Sequence, residues 1–275
     1  MISITHIPRA RSVRAHAAAL DSPQVFAGSV PIRHSPPPRA NRVLASIKSA
    51  EFDRIATELD SVNMSAGEVL YEQGCAPRYI YFPTTAIVSL VFETADGASS
   101  EICAVGNDGV VGFELFTGGD TACNRAIVTN AGEGYRLEAR HLNCEFGRMS
   151  LLISEMLRCT QTLIMQFARA AFCNRHHSVE QQLCRRLLFS LDHLPTGELL
   201  LTHEQIARLL GVRRESVTAA AHKLQSAGVI RYLRGRIEVL DRPELESRAC
   251  DCYKGVMQDR ERTVLVGRRA VNVAA

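Results

Sequence analysis

Two arginines and a glutamate, Arg213-Arg214-Glu215, are the residues whose types and spacing most clearly indicate chemistry. An arginine guanidinium can pair bidentately with guanine, and a glutamate can accept a hydrogen bond from cytosine N4. Thr218 follows Arg214 by four residues, so on a helix the two side chains would share one face. The pattern predicts contact with base edges in a major groove. The full candidate set for DNA contact is Thr202, Arg213, Arg214, Glu215, Thr218, His222 and Arg234.

Two short helices and a hairpin must position these residues, and residues 201–241 predict them. Thr202 and Gln205 have the spacing of a capping box, so a helix begins there. Gly211 ends that helix, because glycine adopts the left-handed cap conformation without penalty. The next helix and the alternating residues after Gly228 complete the pattern of a helix-turn-helix with a two-stranded wing. A helical hairpin that binds no DNA is the alternative. The basic wing argues against it, with Arg231, Arg234 and Arg236.

The segment LTHEQIARLLGVRRESVTAAAHKLQSAGVI resembles the C-terminal winged helix-turn-helix of the Crp/Fnr family of bacterial transcription regulators. The resemblance is close over residues 201–240 and looser from about residue 41 onward. It implies an N-terminal β-roll of the cyclic-nucleotide-binding type. Many members of the family place an arginine where this chain has Ala219, so we expect a different half-site, with Arg213 or Arg214 making the guanine contact. The base-reading residues that the resemblance implies are Arg214, Glu215 and Thr218.

The composition is that of a globular protein. Hydrophobic residues make up 46% of the 275 residues and charged residues 22%, and the formal net charge is only +3, which does not by itself indicate nucleic-acid binding. The nine cysteines are scattered, odd in number and contain no C-x-x-C, which argues against a secreted disulfide framework. No apolar run reaches the roughly 18–20 residues of a membrane span. We therefore expect a cytoplasmic protein without membrane contact.

The order of patterns along the chain predicts an α+β fold. Pro36-Pro37-Pro38 and an arginine-rich composition indicate a leader without regular structure, and residues 41–59 are typical of one helix. Short strands separated by glycine and proline turns then predict an antiparallel, jelly-roll-like β-roll. The expected domains are a disordered leader (1–40), a cyclic-nucleotide-binding-like β-roll sensor (41–148), a dimerisation helix (149–174), a winged helix-turn-helix domain (175–250) and a mobile basic tail (251–275).

The long helix carries two apolar lines, which predict two packing partners. One partner would be the β-roll and the other, by the resemblance, the same helix of a second copy. A helix buried only against its own domain is the alternative. The first line is Leu152, Met156, Cys159, Leu163 and Ala170, and the second is Ile153, Leu157, Ile164, Phe167 and Ala171.

A ligand pocket in the β-roll is implied by the resemblance. In the family, a glycine, a glutamate and an arginine hold a cyclic nucleotide, and Gly112, Glu114 and Arg125 occur here in that order. Their spacing departs from the family pattern, because residues 117–124 insert a flexible stretch before the arginine. We therefore expect no cyclic-nucleotide cofactor and a β-roll that serves as scaffold or responds to another signal.

Several cysteines and histidines are potential metal ligands. Cys173 and His177 are four residues apart on one helix, with His176 beside them and Cys184 further on. Structural zinc requires four ligands and this spacing places only two, so the sequence favours packing and no metal site. Cys250 and Cys252 are a weaker indication still. Residues 1–74 contain no cysteine, which argues against the N-terminal iron–sulfur cluster of some family members.

These patterns together predict a homodimeric transcription regulator that binds a palindromic operator. The expected partners are double-stranded DNA and a second copy of the chain, with RNA polymerase a further candidate. The alternative is a ligand- or redox-sensing module whose helix-turn-helix contacts protein. No catalytic residues are predicted, because no nucleophile–base pair or metal-ligand set has specific spacing.

Overall fold

The N-terminal half of the protein is built from two antiparallel sheets. A computed structural model describes residues 35–142, 151–194 and 198–258. The strands are β1 (Asp60–Met64), β2 (Val69–Tyr71), β3 (Tyr79–Pro83), β4 (Ile87–Glu93), β5 (Ser99–Val105), β6 (Arg125–Asn130) and β7 (Gly132–Glu138). The first sheet has the strand order β1-β7-β3 and the second β2-β6-β4-β5. Inward side chains of both sheets, such as Tyr81 and Leu90, share one core, so the predicted β-roll is confirmed.

The single helix predicted for residues 41–59 is wrong. The chain forms α1 (Arg42–Ser46) and α2 (Ser49–Ala56), separated by extended backbone at Ile47. Asn41 begins α1, because its side-chain oxygen accepts hydrogen bonds from the backbone N–H groups of Val43 and Leu44. Ile47 is buried in the core, and the break between the helices allows its side chain to point inward.

A short helix α3 (Glu114–Thr117) precedes β6, and the long helix α4 (Leu151–His176) follows the β-roll. The predicted span of α4 was 149–174, of which 149 and 150 lie outside the described residues. The first apolar line of α4 is buried, which matches its predicted packing on the β-roll. The second line is only partly buried. Ile153 is buried, whereas Leu157 and Ile164 are 49% and 52% exposed.

The C-terminal module consists of α5 (Val179–His193), β8 (Glu198–Leu200), α6 (His203–Leu210), α7 (Arg214–Ser226), β9 (Ile230–Leu233), β10 (Arg236–Val239) and α8 (Arg242–Arg248). The predicted two-stranded wing has a third strand, because β8 pairs with β10 to give the order β8-β10-β9. Leu187, Leu210, Val217 and Leu224 lie in one core that these elements share. None of the described helices is long and apolar enough to cross a membrane.

The described residues extend into both the predicted leader and the predicted tail. The expected leader includes Pro38–Ala40, which form a turn of 3-10 helix, and the Tyr135 hydroxyl donates to the Pro36 carbonyl at 2.9 Å. Residues 1–34 lie outside the described residues. The expected tail includes a helix over residues 251–258, whose Tyr253 is buried in the core of the C-terminal module. Residues 251–258 of the expected tail are therefore helical and pack on the C-terminal module, because this segment has apolar side chains to bury. Residues 259–275 lie outside the described residues.

Candidate nucleic-acid interface

The outer face of α7 collects most of the residues predicted to contact DNA. Its side chains are all exposed, at spacings of three and four residues that place them on one side of the helix. None of the ion pairs within the described ranges involves Arg213, Arg214 or Glu215. Lys223 pairs with Glu180 of α5 at 3.7 Å. We call these residues the α7 face: Arg214, Glu215, Thr218, Ala219, His222 and Lys223.

The first turn of α7 lacks a side-chain cap. Arg213 occupies the N-cap position in extended backbone geometry, and its side chain makes no capping hydrogen bond. Serine, threonine, aspartate and asparagine are the residues that stabilise this position. Free N–H groups and the positive end of the helix dipole therefore remain at the start of α7, beside two arginines. This combination suits a phosphate or another anion.

Helix α6 holds α7 in place. Thr202 and Gln205 form the predicted capping box, in which the Thr202 hydroxyl accepts from the Gln205 backbone N–H at 3.2 Å. Thr202 is exposed and its hydroxyl takes part in the cap, and its DNA contact stays a prediction. Gly211 ends α6 with φ of +66°, and Ala207 is buried where α6 and α7 meet. The helix-turn-helix geometry thus follows the sequence prediction closely.

His203 connects α6, α7 and the wing, and the sequence analysis did not identify it. Its ring stacks on Tyr232 of β9 with centroids 4.1 Å apart, and its Nδ1 lies 3.1 Å from the Thr218 hydroxyl. That hydroxyl donates to the Arg214 carbonyl at 3.1 Å, so Nδ1–H is the donor to Thr218. A histidine directly after the helix cap was the only signal in the sequence, and its partner Tyr232 is 29 residues away.

The environment of His203 favours its neutral form. Partial burial lowers the pKa of His203 from its ordinary value, and the nearby charge of Arg214 lowers it further. Its Nε2 is buried without a hydrogen-bond partner within the described chain. A second proton on the ring would therefore have no acceptor. His203 positions Thr218 on the α7 face as a neutral donor.

The wing turn places a basic residue at its tip. Arg234 and Gly235 connect β9 to β10, and both have positive φ, 46° and 83° respectively. Two successive positive φ angles are typical of the two-residue turns that match the twist of a hairpin. Arginine is uncommon in this conformation. Arg234 is exposed, as its predicted role in DNA contact requires.

The three candidate ligand residues of the β-roll each have contacts of their own. Glu114 is 4% exposed and accepts a hydrogen bond from the Asn124 amide at 2.9 Å. Arg125 lies on the opposite side of β6 from buried Ala126, and it pairs with Glu72 at 3.1 Å and Glu93 at 3.4 Å. The third candidate, Gly112, has φ of +97°, and a Cβ there would meet the Tyr79 carbonyl oxygen at 2.8 Å. Glycine is therefore needed here because the backbone of Tyr79 lies too close for a side chain.

Two of the four cysteines and histidines considered as metal ligands lie close to residues that are distant in the sequence. Cys173 and His177 lie beside Cys250 and Cys252, with one side-chain donor atom of each residue within 4.8 Å of the others. We call these four residues the cysteine–histidine cluster. Cys184 lies instead in the core of the C-terminal module, and His176 is exposed and stacks on Phe172. The sequence-based expectation of no metal site counted only two ligands, and the fold supplies two more.

The C-terminal module is similar in sequence to a known family of domains. Residues 181–248 match the family model described as the Crp-like helix-turn-helix domain. No curated protein matches the chain significantly by sequence.

Solved structures show the fold over about two thirds to three quarters of the chain. A protein from Eubacterium rectale ATCC 33656, assigned to the Crp/Fnr family of transcriptional regulators, is 15% identical with a TM-score of 0.60, covering 76% of this chain and 98% of that one. A CRP-family transcriptional regulator from Thermus thermophilus is 22% identical with a TM-score of 0.57, covering 68% and 96%. The c-di-GMP-responsive regulator CLP of Xanthomonas campestris is 17% identical with a TM-score of 0.54, covering 70% and 100%.

Proposed function

We propose that the protein is a homodimer that binds a palindromic operator. Residues 181–248 form a Crp-like helix-turn-helix domain in a chain with the fold of Crp/Fnr transcription regulators. The activity is binding of double-stranded DNA, without a catalytic step. The α7 face enters the major groove, and the wing reaches the neighbouring phosphates through Arg234.

The exposed, unpaired start of α7 is the observation that supports this proposal. Arg213, Arg214 and Glu215 are exposed, and no ion pair within the described ranges engages them. Arginine and glutamate at the first turn of the second helix have the reach to contact guanine and cytosine edges. Ala219 is small and exposed on the same face, so it leaves room for Arg214 to approach a base from the turn before.

The dimer is proposed from the exposed apolar side chains of α4. Leu157, Ile164 and Phe172 are 49%, 52% and 54% exposed, at spacings of seven and eight residues along one side of the helix. A stripe with this spacing pairs with a second helix in a coiled-coil-like contact. A palindromic operator requires two recognition helices about 34 Å apart, which a dimer provides.

Binding to a randomised half-site library at two salt concentrations tests the DNA proposal. We expect Arg214→Ala and Glu215→Ala to change which sequences are preferred, by about 1–3 kcal/mol at the contacted base. Lys223→Ala is the matched control on the same helix. It should weaken all sequences alike and lower the salt slope by about one. A protein that enriches no sequence from the library would contradict the proposal and favour a helix-turn-helix that contacts protein.

Sedimentation equilibrium tests the dimer. The wild type should be dimeric at micromolar concentration and Ile164→Asp monomeric, because the new carboxylate would be buried at the helix pair. Leu240→Asp is the matched control, since Leu240 is 52% exposed in the DNA-binding module and away from α4. Leu163 is unsuitable, because it is buried in the β-roll core and its replacement would damage the fold. A monomeric wild type would rule out this mode of operator binding.

The β-roll is proposed not to hold a cyclic nucleotide in the manner of the family. Glu114 is enclosed with Asn124, and Arg125 is held by two carboxylates on the other side of β6. Calorimetric titration with cyclic AMP and cyclic GMP should show no binding at micromolar concentration. Micromolar binding that Arg125→Ala abolishes would overturn this part of the proposal.

A further inference from the structure

Three buried cysteines and one histidine meet at the end of α4, apart from every residue discussed as a DNA contact. Cys173, Cys250 and Cys252 are 0%, 4% and 6% exposed and form an apolar cluster of their own. His177 is half-buried and turns its Nδ1 toward the Cys252 sulfur. Free cysteines pack in cores as small hydrophobic residues. Packing alone does not explain why an imidazole nitrogen points at the Cys252 sulfur.

The distances within the cysteine–histidine cluster match a single tetrahedral ion. The Sγ atoms of Cys173 and Cys250 are 3.6 Å apart, and Cys252 Sγ lies 3.6 Å from His177 Nδ1. A tetrahedral zinc ion with bonds of about 2.3 Å to sulfur and 2.0–2.1 Å to nitrogen places its ligand atoms roughly 3.4–3.8 Å apart. All four ligand atoms lie within 4.8 Å of one another, so small side-chain movements would complete the tetrahedron.

We propose that Cys173, His177, Cys250 and Cys252 bind one zinc(II) ion as a structural site. Four protein ligands leave no open position, so the ion would have no catalytic role. On binding, the three thiols release their protons to solvent and coordinate as thiolates, and the imidazole coordinates in its neutral form through Nδ1.

The local structure explains how two distant segments supply the ligands. Cys173 and His177 are one turn apart at the C-terminal end of α4, where the His177 N–H donates to the Cys173 carbonyl at 3.0 Å. Cys250 ends the extended link after α8, and the Tyr253 N–H donates to its carbonyl at 3.0 Å. Cys250 therefore begins the helix over residues 251–258, and Cys252 is in its first turn.

A positive charge lies beside the proposed site. Three thiolates and a neutral imidazole around zinc(II) have a net charge of −1. Arg185 of α5 is close enough to interact electrostatically with all three cysteines, and its Nε is buried without a hydrogen-bond partner in the described chain. The charge of Arg185 therefore complements that of the occupied site.

A disulfide explains the arrangement less well. A bond between Cys173 and Cys250 would bring two sulfurs to about 2.05 Å and leave Cys252 and His177 without a role. A multi-iron cluster needs thiolates spread around a larger inorganic core, whereas these surround the space of one ion. Zinc accounts for all four donors.

The ion would join the last turn of α4 to the C-terminal helix across the start of the DNA-binding module. Only His177 and Ser178 separate α4 from α5. Because Cys250 and Cys252 follow α8, the site would close a loop that contains the whole helix-turn-helix and wing. It would therefore fix the direction in which the module leaves α4. This role does not depend on which DNA sequence the module binds.

Metal content of the full-length protein, purified under reducing conditions, tests the proposal. We expect about one zinc per chain. Replacement by cobalt(II) should give the intense visible bands of tetrahedral thiolate coordination. The double variant Cys250→Ser/Cys252→Ser should lose at least about nine-tenths of the metal. Cys184→Ala is the matched control, because Cys184 is equally buried but lies outside the cluster, and it should retain the ion.

A conservative variant separates loss of metal from loss of fold. His177→Cys should keep one metal per chain and shift the cobalt spectrum toward that of four thiolates, with an unchanged circular dichroism spectrum. Reduced wild type that takes up neither zinc nor cobalt overturns the proposal. A Cys250→Ser/Cys252→Ser variant that retains the wild-type metal content also overturns it. So does metal-free reduced protein whose air-oxidised form contains a Cys173–Cys250 disulfide, since that identifies a redox pair.

Discussion

Arg186 of α5 and Glu101 of β5 form a buried ion pair between the C-terminal module and the β-roll. The Arg186 Nε lies 3.2 Å from Glu101 Oε1, and the two side chains are 2% and 9% exposed. Nε has the distance of an ion pair but no hydrogen-bond acceptor in the described chain. The other guanidinium nitrogens donate to Ser190 at 2.6 Å and Thr129 at 3.2 Å. Both charges are therefore removed from water, and each is stabilised by the opposite charge in the other module.

Removal of Arg186 should destabilise the protein strongly. Arg186→Met leaves the Glu101 carboxylate buried without its cation, which costs about 3–5 kcal/mol of unfolding free energy. Urea unfolding measures this loss. The double variant Arg186→Met/Glu101→Leu should recover a large part of it, because no charge then remains buried.

The exposed pair Arg231–Glu238 provides the control for that experiment. Its side chains are 55% and 41% exposed, so Arg231→Met should change stability by less than about 1 kcal/mol. Equal losses for Arg186→Met and Arg231→Met would contradict the assignment of Arg186 as a buried charge.

His203 should titrate below its ordinary pKa. Partial burial and the charge of Arg214 both disfavour its protonated form. Because the folded pKa is lower than the unfolded pKa of about 6.5, the unfolded chain takes up the proton first, and stability falls as the pH drops through 6.5 toward the folded value. Histidine proton NMR, assigned with His203→Gln, measures the midpoint. Arg214→Ala should raise it, and a midpoint at or above 6.5 would contradict this account.

Glu114→Gln should stabilise the β-roll at neutral pH. Burial raises the pKa of Glu114, and its Oε2 has no hydrogen-bond partner within the described residues. The folded state therefore holds its proton more tightly than the unfolded state, and stability falls as the pH rises from about 4.5 through the folded pKa. Glutamine removes this dependence while its oxygen still accepts from Asn124. Urea unfolding at pH 5 and pH 8 measures it. Glu93→Gln, an exposed carboxyl of the β-roll, should retain the wild-type dependence.

Arg213→Ser should stabilise the fold and weaken DNA binding. Serine at the N-cap would accept hydrogen bonds from the first turn of α7, which is worth roughly 0.5–1 kcal/mol. The loss of a cation should lower the affinity for all operators. Unfolding and fluorescence anisotropy measure the two effects. Asp241→Ala is the control, since Asp241 caps α8 through the Glu244 N–H at 2.9 Å and its loss should affect stability alone. An Arg213→Ser variant with unchanged affinity would remove Arg213 from the interface.

The helix-turn-helix was predictable from sequence because its determinants are local. The cap at Thr202, the left-handed Gly211 and the apolar spacing within α6 and α7 all act over fewer than ten residues. The exposed α7 face follows from the same periodicity. Short strands and the turns between them also predicted an antiparallel β-roll. The predicted helix over 41–59 was wrong because the apolar spacing did not reveal the break at Ile47, where the core receives a side chain.

The remaining features depend on contacts between residues far apart in the chain. His203 meets Tyr232, Arg186 meets Glu101, and Cys173 meets Cys250 across 77 residues. Periodicity reports which face of an element is apolar, but it does not report which other element covers that face. The sequence by itself therefore determined the helix-turn-helix and the residues exposed on its α7 face. Only the tertiary structure decided the pairing of the modules and the meeting of four metal-ligand side chains, because packing of nonlocal elements brings those donors together.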